Sequence, residues 1–170
     1  MRRLVSELMT RRVDEHLADP FEASAIPRIY PPASQREVSR LEVTAGQSLD
    51  RYYRDFLSVT DGMDGFYLSH CVLGCRNRSG ARGTGALQFR DGAREDGTPA
   101  DVGLPGDVVL FPVSVNRDVS QAIFMIDCPD VLPERIWWLG EGDSMFFGNF
   151  ADSLGYANDP RSYTPRETVD

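Results

Sequence analysis

Apolar positions along this chain recur with two different periods, and the places where the period changes mark the elements. Leu4, Leu8, Val13 and Leu17 form a loose helical stripe among Arg and Glu, which predicts a first helix ending near Ala18. Residues 19–32 carry Pro20, Pro27, Pro31 and Pro32, a density that excludes a helix or a central strand and predicts a surface connector. Ser34-Gln35-Arg36-Glu37 has the spacing of a capping box, in which the serine oxygen accepts a first-turn N–H and the glutamate reaches back. Val38, Leu41 and Ala45 follow on one face, and Gly46 stops the helix. Ser48 is placed to cap a third helix whose buried face is Leu49, Tyr53, Phe56 and Leu57, and Asp61-Gly62 ends that run. After Asp64-Gly65 the period becomes two. Phe66, Leu68, His70 and Val72 then lie on one side of a strand, with Tyr67, Ser69, Cys71 and Leu73 on the other. The third helix must turn back onto that sheet.

Further along, residues 74–85 are rich in Gly, Arg and Ser without any period, which predicts a loop; residues 86–95 lean towards helix, weakened by Gly92. Residues 108–113 and 120–126 are apolar and β-branched around a turn at Asn116-Arg117-Asp118, the pattern of a hairpin. Residues 135–139 make another strand, and Phe146, Phe147, Phe150 and Leu154 sit at helical offsets. The tail from Asn158 onward has no stripe and is expected to be loosely held. Strands and helices do not alternate. The fold class is therefore α+β, an antiparallel sheet of about four to six strands with helices packed against it. The expected organisation is an N-terminal helix and proline connector over residues 1–30, a main domain over 31–157 and a tail over 158–170.

Composition adds an asymmetry. The 170 residues carry a net charge of −8 and no Lys; residues 1–94 hold fourteen Arg against twelve acids, and residues 95–170 hold four Arg against fourteen acids. The second part is thus at −10, which repels nucleic acid and anionic membranes and attracts basic partners. No apolar run is long enough to cross a bilayer, and Glu7, Arg11, Arg12, Asp14 and Glu15 interrupt any leader-like start. Three cysteines, an odd number, predict reduced thiols and a cytoplasmic protein.

Pro31-Pro32-Ala33-Ser34 with its capped helix, followed by Ser48-Leu49, Tyr53, Phe56-Leu57 and Thr60-Asp61-Gly62, resembles the start of the SUKH superfamily. The later hairpin, the Ile136-Trp137-Trp138 strand and the stretch from Phe147 to Leu154 look similar to its closing elements, so that the resemblance spans residues 31–156. It departs at Asp50, where the family often has proline, at Asp61 in place of asparagine, and at the hairpin turn, which lacks a glycine. The resemblance implies a binding module without catalytic residues, of the kind that acts as an immunity protein against a toxin, frequently a nuclease. Fungal relatives imply an alternative, a regulatory scaffold for a housekeeping partner, for which residues 2–32 would supply a separate docking surface.

Chemistry-bearing residues are sparse. His70 and Cys71, with Cys75, Cys128 and His16, are the one cluster able to supply a nucleophile or ligate metal, yet strand alternation puts His70 and Cys71 on opposite faces, which favours buried structural thiols. A Cys71-dependent enzyme is the weakest alternative, and no metal or cofactor is expected. Arg76, Arg78, Arg82, Arg90 and Arg94 lack the lysine of a P-loop and the aromatic interleaving of single-strand binders, and read as a solvated loop. Asp61, Asp64, Asp91 and Asp96 stand near glycines as turn residues. The partner-binding face is expected at Asp127, Asp130, Glu134, Glu141 and Asp143, with one of Trp137 and Trp138 facing outward as the anchor and a basic toxin domain as the partner.

Overall fold

The computed structural model describes residues 1–19, 25–140 and 142–169. Helix α2 (Gln35–Ala45) begins with the capping box expected of it: Ser34 Oγ accepts from Glu37 N–H, and the Glu37 carboxylate accepts from Ser34 N–H at 2.8 Å. Gly46 closes it in the left-handed conformation at φ 65. Helix α3 (Arg51–Leu57) corrects the sequence reading at its start, because Asp50 and not Ser48 is the cap. Asp50 Oδ1 accepts from the N–H groups of Tyr52 and Tyr53, both at 3.0 Å. The same oxygen accepts from Phe150 N–H at 3.1 Å, the first residue of α6 (Phe150–Asn158). One buried carboxylate thus ties the start of two helices together.

The sheet is a continuous antiparallel meander of seven strands among the described residues: β1 (Arg28–Ile29), β2 (Met63–Tyr67), β3 (His70–Val72), β4 (Phe111–Val115), β5 (Gln121–Met125), β6 (Ile136–Gly140) and β7 (Asp143–Phe147). Every strand pairs with its sequence neighbour, although residues 30–62 separate β1 from β2 and residues 73–110 separate β3 from β4. The strand expected from 66 to 73 is in fact a hairpin. Tyr67 pairs with His70 across a two-residue turn at Leu68-Ser69, with Leu68 held at φ 48. A left-handed leucine carries no sequence signal, since glycine or asparagine usually marks such a turn. At the β4–β5 turn the missing glycine is replaced by Asn116, whose Oδ1 accepts from Ser120 and Gln121 N–H groups at 3.0 and 2.9 Å. Phe146 and Phe147 belong to β7 and not to the closing helix, which starts three residues later.

Both faces of this sheet are covered. Helices α1 (Arg2–Ala18), α2, α3 and α6 bury one face over Phe66, Ile123, Met125, Ile136, Trp138 and Phe147. The other face is buried by α4 (Ala81–Glu95), by the turn after it at α5 (Thr98–Asp101), and by Leu104, Val108 and Leu110, which pack on Phe124, Trp137 and Phe146. Alternating residues of β6 therefore enter two different cores, and each aromatic so buried contributes about 1.5–3 kcal/mol. Helix α4 begins inside the stretch expected to be a loop, at Ala81. Val5 and Leu8 of α1 belong to the same core as Phe150 and Leu154, so the first helix is an integral layer and not an appendage. The tail is also tied down: Phe146 N–H donates to the Arg166 carbonyl at 2.7 Å, Val169 N–H donates to the Val102 carbonyl at 2.9 Å, and Tyr163 lies 5.1 Å from the Phe147 ring. The Phe146–Arg166 bridge covers part of the β7 edge, which otherwise presents unpaired peptide groups. No helix among the described residues is long and apolar enough to cross a membrane.

Candidate functional site: an acidic groove at the β6–β7 turn

The sequence placed five carboxylates and one tryptophan on a common face around β6. The structure separates them. Asp127, Asp130 and Glu134 lie in the β5–β6 connection at the Ile136 end of β6, whereas Asp143 follows the turn at its Gly140 end. Five residues of strand at about 3.3 Å per residue stand between the two groups. Glu141 lies outside the described residues. Neither tryptophan faces solvent: Trp137 is fully buried and Trp138 is 2% exposed. Trp137 stacks on Phe146 at 5.8 Å, with its indole N–H donated to Ser144 Oγ at 2.8 Å. Trp138 packs among Phe66, Tyr67, His70, Phe147 and Tyr156. The expectation of one outward anchor failed because it assumed a sheet with one wet face; a helix over the second face buries both alternating positions.

The two acidic ends also differ in charge state. Asp127 is paired with Arg135 at 3.3 Å and Glu134 stands 3.7 Å from Arg166, so those two are compensated, while Asp130 is exposed. Asp143 makes no ion pair among the described residues, and the structure adds two neighbours the sequence did not single out as partner contacts. A groove of about 410 Å³ runs between α4 and the β6–β7 turn, floored by Phe89, Ala93, Val102 and Leu139 with Asp96 and Asp143 on its rim. A second groove, of about 580 Å³, continues from Val102 and Asp143 under the tail to Tyr156, Tyr163 and Glu167. Asp96, Asp143 and Glu167 are exposed and free of ion pairs among the described residues. Burial raises the Tyr156 and Tyr163 hydroxyl pKa values above their ordinary range, so both phenols stay neutral hydrogen-bonding groups. An apolar floor bordered by uncompensated carboxylates suits a basic side chain, which lays its stem on the floor and its charge at the rim. Glu167 was out of reach of sequence reasoning because it reaches this site through the tail's two backbone bonds, which no side-chain pattern announces.

The thiols take no part. Cys71 donates to the Val115 carbonyl at 3.4 Å, and burial raises its pKa. Cys75 is pushed up to about 12, by burial first and by Asp61 next, and burial with Asp127 raises Cys128. Raised thiol pKa values keep these side chains protonated near neutral pH. His70 does lie opposite Cys71, its ring between Ser114 Oγ at 3.3 Å and Gln121 Oε1 at 3.0 Å. No group of three or more His, Cys, Asp or Glu side chains among the described residues is arranged around a common point to hold a metal ion. Most of the arginines are already engaged: Arg76 pairs with Glu37, Arg82 with Asp64 and Arg90 with Asp91, while Arg94 donates to the Val108 carbonyl and Arg78 to the Pro112 carbonyl and the Tyr53 hydroxyl. A cleft of about 660 Å³ beside α1, walled by Val5, Met9, Val13 and Ile29, is lined also by Arg2 and Asp14, one charge of each sign. Set against known protein families and curated proteins, the chain matches no family model and no curated sequence.

Proposed function

We propose that this chain is a protein-binding module of the immunity type, which neutralises a toxin domain by occupying a basic surface on it. The observation that carries this reading is the groove at the β6–β7 turn, where Asp96, Asp143 and Glu167 stand unpaired around an apolar floor. Free carboxylates on one rim provide long-range attraction for a basic partner, and the floor provides area to desolvate on contact. The order of elements supports the same reading. Capped helices α2 and α3, antiparallel strands interrupted by α4 and α5, and the closing α6 are compatible with the resemblance to the SUKH superfamily. The alternative, a regulatory scaffold for a housekeeping partner, has less support, because Val5 and Leu8 of α1 are buried in the core.

Co-expression tests the proposal. Where a reading frame beside the gene encodes a toxin domain, cells expressing that domain survive when the intact chain is present, and survival falls when Asp96 and Asp143 are both changed to Arg. Death of the cells despite soluble wild-type protein refutes the immunity reading.

A further inference from the structure

On the other flank of α4 the charge is reversed. Gly83, Leu87 and Arg90 follow at offsets of four and three residues, so they share a face of the helix that is not the Phe89, Ala93 and Asp96 face. That face borders a pocket of about 290 Å³ at the end of the sheet, closed by Thr44 of α2, Leu73, Arg78, Ser79, Phe111 and Pro112. A second hollow of about 310 Å³ opens from it across Thr44, Arg78 and Ser79 and adds Arg40, Arg76 and Glu37. The walls of the two together carry four guanidinium groups, Arg40, Arg76, Arg78 and Arg90; Arg90 is paired with the neighbouring Asp91, and the carboxylate within the walls is Glu37. That carboxylate is already held by Arg76. On a chain of net charge −8 this is a local reversal of sign.

Arg78 is the informative residue. Its guanidinium lies over the Phe111 ring at 4.2 Å, donates to the Pro112 carbonyl at 2.6 Å and donates to the Tyr53 hydroxyl. Both acceptors are neutral, and the buried Nε has no hydrogen-bond partner. A half-buried cation without a carboxylate, one donor unused, is a charge waiting for a counterion, because desolvating it uncompensated is costly. The start of α4 adds to the same field. Gly80 caps it with no side chain, and the exposed Ser79 hydroxyl stands beside it. Gly83 lets the chain pass against the Arg78 carbonyl, where a Cβ would overlap it. The floor of Leu73, Leu87, Phe111 and Pro112 is apolar, and the pocket has more room than a bare phosphate requires.

We infer that this pocket binds a small organophosphate carrying a planar ring, of the size of a nucleoside monophosphate, with the phosphate between Arg78, Arg90 and Ser79 and the ring against the exposed Leu87. Guanidinium groups pair with phosphate oxygens through forked donors, and a flat ring stacks on a guanidinium already supported by an aromatic face. The site is distinct from the acidic groove and stands or falls independently of the immunity reading.

The test is calorimetric titration of the intact chain with AMP, adenosine and inorganic phosphate in low salt. AMP binds saturably, phosphate competes, and adenosine binds at least about tenfold more weakly, the worth of one charged contact. Ser79→Asp puts a carboxylate at the mouth without touching the core and weakens AMP at least about tenfold, as does Arg90→Gln, with melting temperatures unchanged. Arg78→Gln also abolishes binding, but its bonds to Tyr53 and Pro112 make the first two variants the decisive ones. Absence of saturable AMP binding at millimolar concentration, equal binding of adenosine, or full AMP affinity in Ser79→Asp overturns the inference.

Discussion

Replacing Asp50 by Ala removes the acceptor that joins α3 to α6, and the structure sets the size of the loss. Asp50 Oδ1 accepts three backbone N–H groups, from Tyr52, Tyr53 and Phe150, and the residue is 7% exposed. Loss of the helix cap costs about 1 kcal/mol. The Phe150 N–H, buried among α3 and β7 side chains, is then left without an acceptor, at a further cost of about 1–3 kcal/mol. The expected destabilisation is about 2–4 kcal/mol, equivalent to a fall in Tm of at least about 5 °C for a domain of this size. Asp50→Asn keeps an oxygen at the same position and is expected to cost less than about 1.5 kcal/mol. Urea unfolding followed by tryptophan emission measures both, since Trp137 and Trp138 are buried and report on both cores. An Ala variant within about 0.5 kcal/mol of wild type, or an Asn variant as damaged as Ala, would refute the linking role.

Two further predictions concern titrating groups. Glu37 is held down to about 2 from 4.5, first by hydrogen bonding to Arg76 and next by Ser34. A depressed folded pKa stabilises the fold above the ordinary carboxylate range and loses that contribution as pH falls through the folded value. The stability gap between wild type and Glu37→Gln is therefore present at pH 7 and closes between about pH 4.5 and about pH 2, measured by thermal melts across that window; a gap independent of pH contradicts the assignment. With a disulfide-type thiol reagent at neutral pH, Cys71 stays unreacted in the folded protein and all three cysteines react after unfolding, because burial holds Cys71 protonated. Rapid labelling of native Cys71 would reopen the nucleophile reading.

Local chemistry made much of this fold legible from sequence. The capping box at Ser34, the glycine stop at Gly46 and the α3 stripe of Tyr53, Phe56 and Leu57 are short-range signals, and each sits where the residues put it. So do the helix over α1 and the hairpin of β4 and β5. Long-range packing accounts for the misses. The Leu68-Ser69 turn uses a strained leucine in place of glycine, so two strands read as one. Phe146 and Phe147 fit a helical stripe with Phe150 equally well until pairing with β6 places them in a strand. Burial on both faces of β6 follows from where α4 lies, which periodicity within β6 cannot show. Of the candidate site, Asp143 was legible as an acid beside a turn. Asp96 was visible only as a turn residue, and Glu167 joins through a tail whose contacts are made by backbone.

Association kinetics test the central claim most directly. Where a reading frame beside the gene encodes a toxin domain, the intact chain is passed over that immobilised domain at a series of salt concentrations. The account predicts a complex whose association rate falls steeply with added salt, and an Asp96→Arg, Asp143→Arg protein that associates at least about tenfold more slowly at low salt while Asp127→Arg changes little. A complex that forms at the same rate with the double reversal, or no complex with correctly folded wild-type protein, would contradict it.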